Sequence, residues 1–133
     1  MAYRTKNVLL CLAALFLGGL LYVFFRPNTH IAGMFAFLHL PRLCASDFFK
    51  FYLPDFLWAL SLSCGFIAIY CPKKSGVLFC AVGAFLFGLV WELLQYIEAV
   101  SGTADIHDII MYFFASAICI TINLKGDRNN EKT

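Results

Sequence analysis

Trp91-Glu92-Leu93-Leu94-Gln95 and Asp105-Ile106-His107-Asp108 stand on either side of a short turn, each at one end of an otherwise apolar segment. Apolar helices long enough to cross a membrane rarely keep carboxylates at their ends without a reason. The two segments read as a third and a fourth transmembrane helix that meet at the outer face of a membrane. Gly102, with Ser101 and Thr103 beside it, marks the turn between them.

Composition supports that reading. Of 133 residues, 62% are hydrophobic and 14% are charged, against about half and about a quarter in an ordinary soluble domain. A chain this short builds one small core in water and cannot hide so much apolar surface there. A net charge of +2 is too small to suggest nucleic-acid binding, and the basic residues form no long run.

Working outward from the turn, the third helix is expected over about residues 76–97 and the fourth over about 105–124. A second helix is expected over about 53–71. Pro54 suits its first turn, where no amide proton is left unpaired, and Asp55 suits the positive end of its dipole. Residues 8–25 form an unbroken apolar run, about 27 Å as a helix, which matches the hydrocarbon thickness of a bilayer. No small-residue cleavage site follows it, so an uncleaved first helix over about 7–25 is expected. The fold class is therefore an all-α integral membrane protein: one four-helix transmembrane domain over residues 1–124. A polar C-terminal tail, 125–133, is expected to be disordered. Residues 31–40 are apolar but too short to span, and read as an interfacial or re-entrant segment. Phe48, Phe49, Phe51, Tyr52, Phe56 and Trp58, with Lys50 among them, form the aromatic cluster that a membrane–water boundary selects.

Four spans place both termini on one side. Arg4, Lys6, Lys73, Lys74, Lys125, Arg128 and Lys132 collect there, while Arg26, Arg42 and Lys50 are spread over the longer opposite connection. Short basic segments stay cytoplasmic, so both termini are expected inside. Asp55, Glu92, Gln95, Asp105, His107 and Asp108 then share the outer end of the bundle, where Asp47 could join them. Small residues lead up to that end. They are Ala84 and Gly88 below Glu92, Ala59 and Ser63 along the face of Asp55, and Ala115, Ser116 and Cys119 continuing the face of Asp105, Asp108 and Tyr112. Small residues let membrane helices approach closely, which predicts a packed bundle with an acidic pocket opening outward.

The polar residues admit several roles. Asp105, with Asp108 three residues on, has the form of a helix cap. Capping does not account for Glu92 and Gln95 near a carboxyl end, where an acid opposes the dipole and needs a partner, a ligand or a proton; snorkelling to water is the bland alternative. The acids are of the type that binds a hard cation, but their spacing matches no dedicated metal loop, and no metal or cofactor is expected. His107 points about 100° away from Asp108 on a helix, which argues against that pair as a catalytic dyad. Six cysteines match no zinc or redox spacing, and no disulfide framework is expected.

The combination Glu92-x-x-Gln95, a glycine-containing turn, then Asp105-x-x-Asp108 opening a last helix resembles the VanZ-like family of small bacterial membrane proteins. The resemblance covers about residues 80–122. The chain departs from the family pattern at Thr103, where an arginine is frequent, at Tyr112, where an asparagine is usual, and at Ala115, where a glycine is favoured. The resemblance implies a multi-pass protein of the bacterial cytoplasmic membrane, in the setting of cell-envelope antibiotic resistance.

The expected function is an outward-facing pocket formed by Asp55, Glu92, Gln95, Asp105, Asp108 and Tyr112. It would bind an amphipathic envelope ligand: a lipid headgroup, a cell-wall lipid precursor or a lipoglycopeptide such as teicoplanin. Rival readings are a membrane-embedded hydrolase or transferase with Glu92 or Asp108 as general base, a small transporter, and an assembly subunit. The chain could act as a homo-oligomer or within a larger membrane complex.

Overall fold

The sequence predicts helices wherever apolar runs reach membrane length, and a computed structural model places a helix at each. It describes residues 2–25, 46, 48–70 and 74–130, with side chains at 3–25, 46, 48–70 and 75–125. Helix α1 covers Ala2–Phe25, α2 Leu53–Tyr70, α3 Lys74–Tyr96 and α4 Ile106–Asn130, with a π-helical turn, Phe48–Tyr52, leading directly into α2. Among the described residues there is no strand, and four helices are long and apolar enough to cross a membrane. The segment 31–40, His39, Asp47, Cys44 and Cys71 lie outside the described residues.

Two boundaries differ from the sequence reading. Helix α1 begins at Ala2, ahead of the apolar run, and α4 runs on to Asn130, beyond Leu124 and into the expected tail. Extending an existing helix fixes one residue per hydrogen bond gained, so polar residues prolong a helix they would not nucleate. Pro54 is buried in the first turn of α2 and Asp55 stands beside it.

Neighbouring helices run antiparallel. Gly18 lies against Leu57 and Trp58, and Gly65 against Cys11, which fixes α1 on α2. Ser61 Oγ donates to the Cys11 carbonyl at 3.0 Å in the same seam. Ser116 Oγ donates to the Ala81 carbonyl at 3.2 Å between α4 and α3. Helix α2 touches the other three, whereas the described part of α1 makes no close backbone approach to α3 or α4. A cleft is therefore left between α1 and α3, with α2 as its floor.

The interior follows the small-residue stripes. Ala59, Ser63, Ala81, Ala84, Ala115, Ser116 and Cys119 are all buried. Phe16, Phe79, Leu93, Phe113 and Ile118 point outward and are exposed. Ile67 and Val77 are buried as well, but small residues along the helix contacts with large apolar ones outside are the pattern of helices packed in hydrocarbon. Cys11, Cys64, Cys80 and Cys119 are free thiols; Cys64 and Cys119 touch, sulfur to sulfur, at 3.6 Å.

At the end holding the chain termini, Asn7 and Asn123 are buried together. Asn7 Nδ2 donates to Asn123 Oδ1 at 2.9 Å and to the Tyr3 carbonyl at 3.0 Å. Asn123 Nδ2 donates to the Cys119 carbonyl at 2.9 Å, and Lys6 Nζ caps the Ile122 carbonyl at 3.3 Å. This clasp joins α1 to α4 where their backbones stay apart.

Candidate ligand-binding site

Helix α3 ends in a reciprocal pair of turn bonds. The Glu98 amide donates to the Gln95 carbonyl at 3.0 Å and the Ala99 amide to the Leu94 carbonyl at 2.9 Å. That pattern requires a left-handed residue between helix and loop, and Glu98 takes it with φ 58°, a position where glycine is the usual occupant. Gly102, at φ 144°, comes down on the Gln95 side chain, and a Cβ there would collide with the Gln95 amide. Gln95 is thus packed beneath the turn.

One turn before the end of α3, Glu92 is only 4% exposed. Tyr112 Oη donates to Glu92 Oε1 at 2.9 Å, and the Asp105 amide donates to Oε2 at 3.1 Å. The partner that an acid needs at a helix carboxyl end comes from the next helix and from the turn leading into it. Gly88 makes the approach feasible: a Cβ there would lie 2.5 Å from Tyr112 Cδ2.

Asp105 caps α4. Its Oδ1 accepts from the His107 amide at 2.9 Å and sits 2.7 Å from His107 Nδ1, and its carbonyl accepts from the Asp108 amide at 3.1 Å. The His107 amide first, and the imidazole second, hold the Asp105 carboxyl below the usual aspartate range. In the reciprocal capping arrangement the acid three residues on would reach back to the amide of the cap residue. Here Glu92 takes that amide instead, so the cap of α4 and the anchor of α3 are one network. His107, turned away from Asp108, packs its ring at 5.1 Å from that of Tyr52.

Below this network lies a cavity of about 400 Å³. Asp55 and Tyr112 line it, with Tyr22 of α1, Trp58 of α2, and Phe87 and Trp91 of α3. Tyr22 and Trp58 meet edge to face with centroids 6.2 Å apart. Asp55, Glu92 and Asp108 all act electrostatically on the Tyr112 hydroxyl. Of the six residues singled out from sequence, Asp55 and Tyr112 meet in the cavity, while Glu92 and Asp105 are joined behind it. Asp108 stands within range, and Gln95 is committed to the turn.

Of the aromatic walls, Trp91 is named from sequence beside Glu92 and Trp58 in the boundary cluster, neither with a site role, and Tyr22 and Phe87 are not singled out. Phe87 and Trp91, four apart on one helix face, carried the signal, since large aromatic pairs at that spacing stack along a helix. Asn7 and Asn123 carry no local signal of each other, although an amide inside an apolar helix demands a buried partner.

Chemically, the arrangement presents acceptors. Tyr112 gives its proton to Glu92, and Asp55 is a carboxylate in the first turn of α2. Such a lining suits a ligand that donates hydrogen bonds or carries positive charge. Both Glu92 oxygens hold protein donors, which makes it a positioning group for Tyr112. Among the described residues no three His, Cys, Asp or Glu side chains are arranged to hold a metal ion. No protein-family model matches the chain, and neither a curated protein nor a solved structure matches it.

Proposed function

We propose that this chain is a VanZ-like protein of the bacterial cytoplasmic membrane. It is read as crossing that membrane four times with both termini inside and binding an amphipathic envelope ligand in the cavity near its outer end. The observation that carries the reading is the cavity itself: about 400 Å³, walled by aromatic rings, with the Asp55 carboxylate and the Tyr112 hydroxyl as its polar points. Ligand sites have this make-up, mostly apolar walls with a few placed polar groups. A headgroup or the polar part of a cell-wall lipid precursor would occupy it, and the cleft between α1 and α3 would take the attached chain. Glu92 and Asp105 hold Tyr112 and the start of α4 in place. The Glu92-x-x-Gln95 and Asp105-x-x-Asp108 combination supports the family assignment.

Native mass spectrometry of gently extracted protein tests this. A discrete lipid or glycan adduct is expected on the unaltered chain and is expected to be lost on Asp55→Asn, with Glu92→Gln weakening it. A bare mass in all three proteins, with the variants merely less stable, would leave the network as a helix clasp and sink the binding reading.

A further inference from the structure

The lining of the cavity is one-sided in its chemistry. Five aromatic residues, Tyr22, Trp58, Phe87, Trp91 and Tyr112, surround one charged side chain, Asp55, and no described lysine, arginine or histidine lines the space. A ring face is electronegative and attracts a cation, most strongly where water is excluded. A carboxylate among such rings disfavours an anion, and the rings themselves favour a cation over an uncharged polar ligand. The Tyr112 proton is held by Glu92, so toward a ligand the hydroxyl oxygen acts as an acceptor. Gly88 keeps that ring against α3, so the acceptor is fixed in place.

Resting on the binding reading above, we propose that the cavity selects an organic ammonium group, with Asp55 as its counter-ion and the aromatic rings as its cage. N–H donors of the ammonium would meet Asp55 and Tyr112, while its alkyl shell would lie on the rings. Trp58, Phe87 and Trp91 are each partly exposed on the outward face of the bundle, and α1 stands clear of α3. The mouth therefore opens sideways, toward the region where lipid would lie. An aminated lipid headgroup and a free amine share the recognising chemistry, and the test separates them.

The chain carries its own reporter. It has two tryptophans, Trp58 and Trp91, and both line this cavity. The full chain would be placed in nanodiscs of phosphatidylglycerol alone, or of phosphatidylglycerol with increasing phosphatidylethanolamine, and tryptophan emission followed. A second series would add ethanolamine, or uncharged ethylene glycol, to the phosphatidylglycerol discs. A saturable emission change with phosphatidylethanolamine alone is expected and assigns a lipid headgroup. The same change with ethanolamine, and none with ethylene glycol, would also support the ammonium site and assign the headgroup amine as sufficient. Asp55→Asn is expected to weaken the response at least tenfold. Phe87→Leu, at a wall position that faces outward, is expected to weaken it several-fold and keeps the test open if Asp55→Asn fails to fold. An equal response to ethylene glycol, or one untouched by both substitutions, would overturn ammonium selection. In that case a retained adduct in the mass spectrum would still uphold lipid binding. No response to any probe and no adduct would overturn both.

Discussion

Each end of the bundle buries polar groups between α4 and another helix, and the two ends satisfy them differently. At the cavity end the buried group is a carboxylate, and both its oxygens are occupied, one by Tyr112 and one by the Asp105 amide. At the termini end it is a pair of amides, and Asn7 Oδ1 is buried with no partner among the described residues. A buried charge without partners is far more costly than a buried amide lacking one bond. The carboxylate end is therefore built without slack, through a bare Gly88 and a turn pinned on Gln95. The amide end tolerates an unmet acceptor. The cavity lies beside the rigid end, as a preorganised binding site requires.

The largest effect should come from Glu92→Ala. It removes the acceptor of the buried Tyr112 hydroxyl and of the part-buried Asp105 amide, at a cost of about 3 kcal/mol. Thermal unfolding in nanodiscs would show it. A loss no larger than that from Asn7→Ala would mean that Glu92 reaches water and that the contrast between the ends is false.

Gly88→Ala comes next. The new methyl falls on the Tyr112 ring, which must swing away from α3 and lose its grip on Glu92. Overpacking of this kind costs about 1–3 kcal/mol. Combined with Glu92→Ala, the two losses should add to less than their sum, because both break the same contact. Full additivity would show that Gly88 serves only the approach of the helices.

Much of this was legible in the sequence, for identifiable reasons. Periodicity shows which side of a helix is small, so the buried faces of α2, α3 and α4 could be read from Ala59, Ala84 and Ala115. Dipole sense shows that an acid at residue 92 needs a partner and that one at residue 105 does not. What periodicity cannot supply is distance between helices. Whether Tyr112 would meet Glu92 or a ligand depends on how closely α3 and α4 approach, and that is set by Gly88 and by a turn whose left-handed residue, Glu98, is not the expected glycine. Helical spacing sets His107 away from Asp108 but does not show that the cap geometry folds Asp105 back onto it. Asn7 and Asn123 are 116 residues apart in the chain, beyond the reach of any local pattern.

At the amide end, Asn7→Leu should cost about 1–2 kcal/mol by leaving Asn123 Oδ1 without its donor. The double change Asn7→Leu with Asn123→Leu should recover part of that, since replacing both partners by apolar groups strands neither. A double change as costly as the sum of the singles would mean that the clasp contributes through packing alone. Glu92 and Tyr112 are not expected to show such recovery, because the Asp105 amide would still be stranded.

The smallest effect separates the cap of α4 from the anchor of α3. Asp105 is held below its unfolded pKa by the His107 amide and ring. A carboxylate with a depressed folded-state value adds stability above the unfolded value, about pH 4, and loses it as pH falls through the lower folded value. Asp105→Asn keeps a capping oxygen, and its backbone amide still reaches Glu92, but it cannot titrate. The stability difference between the unaltered chain and Asp105→Asn should thus be level above about pH 5 and shrink as the medium is acidified below about pH 4. Melting curves followed by tryptophan emission across that range would measure it. A difference that stays constant to the lowest pH would show that the aspartate acts as a neutral cap. The cap would then contribute through its hydrogen bond and not through its charge.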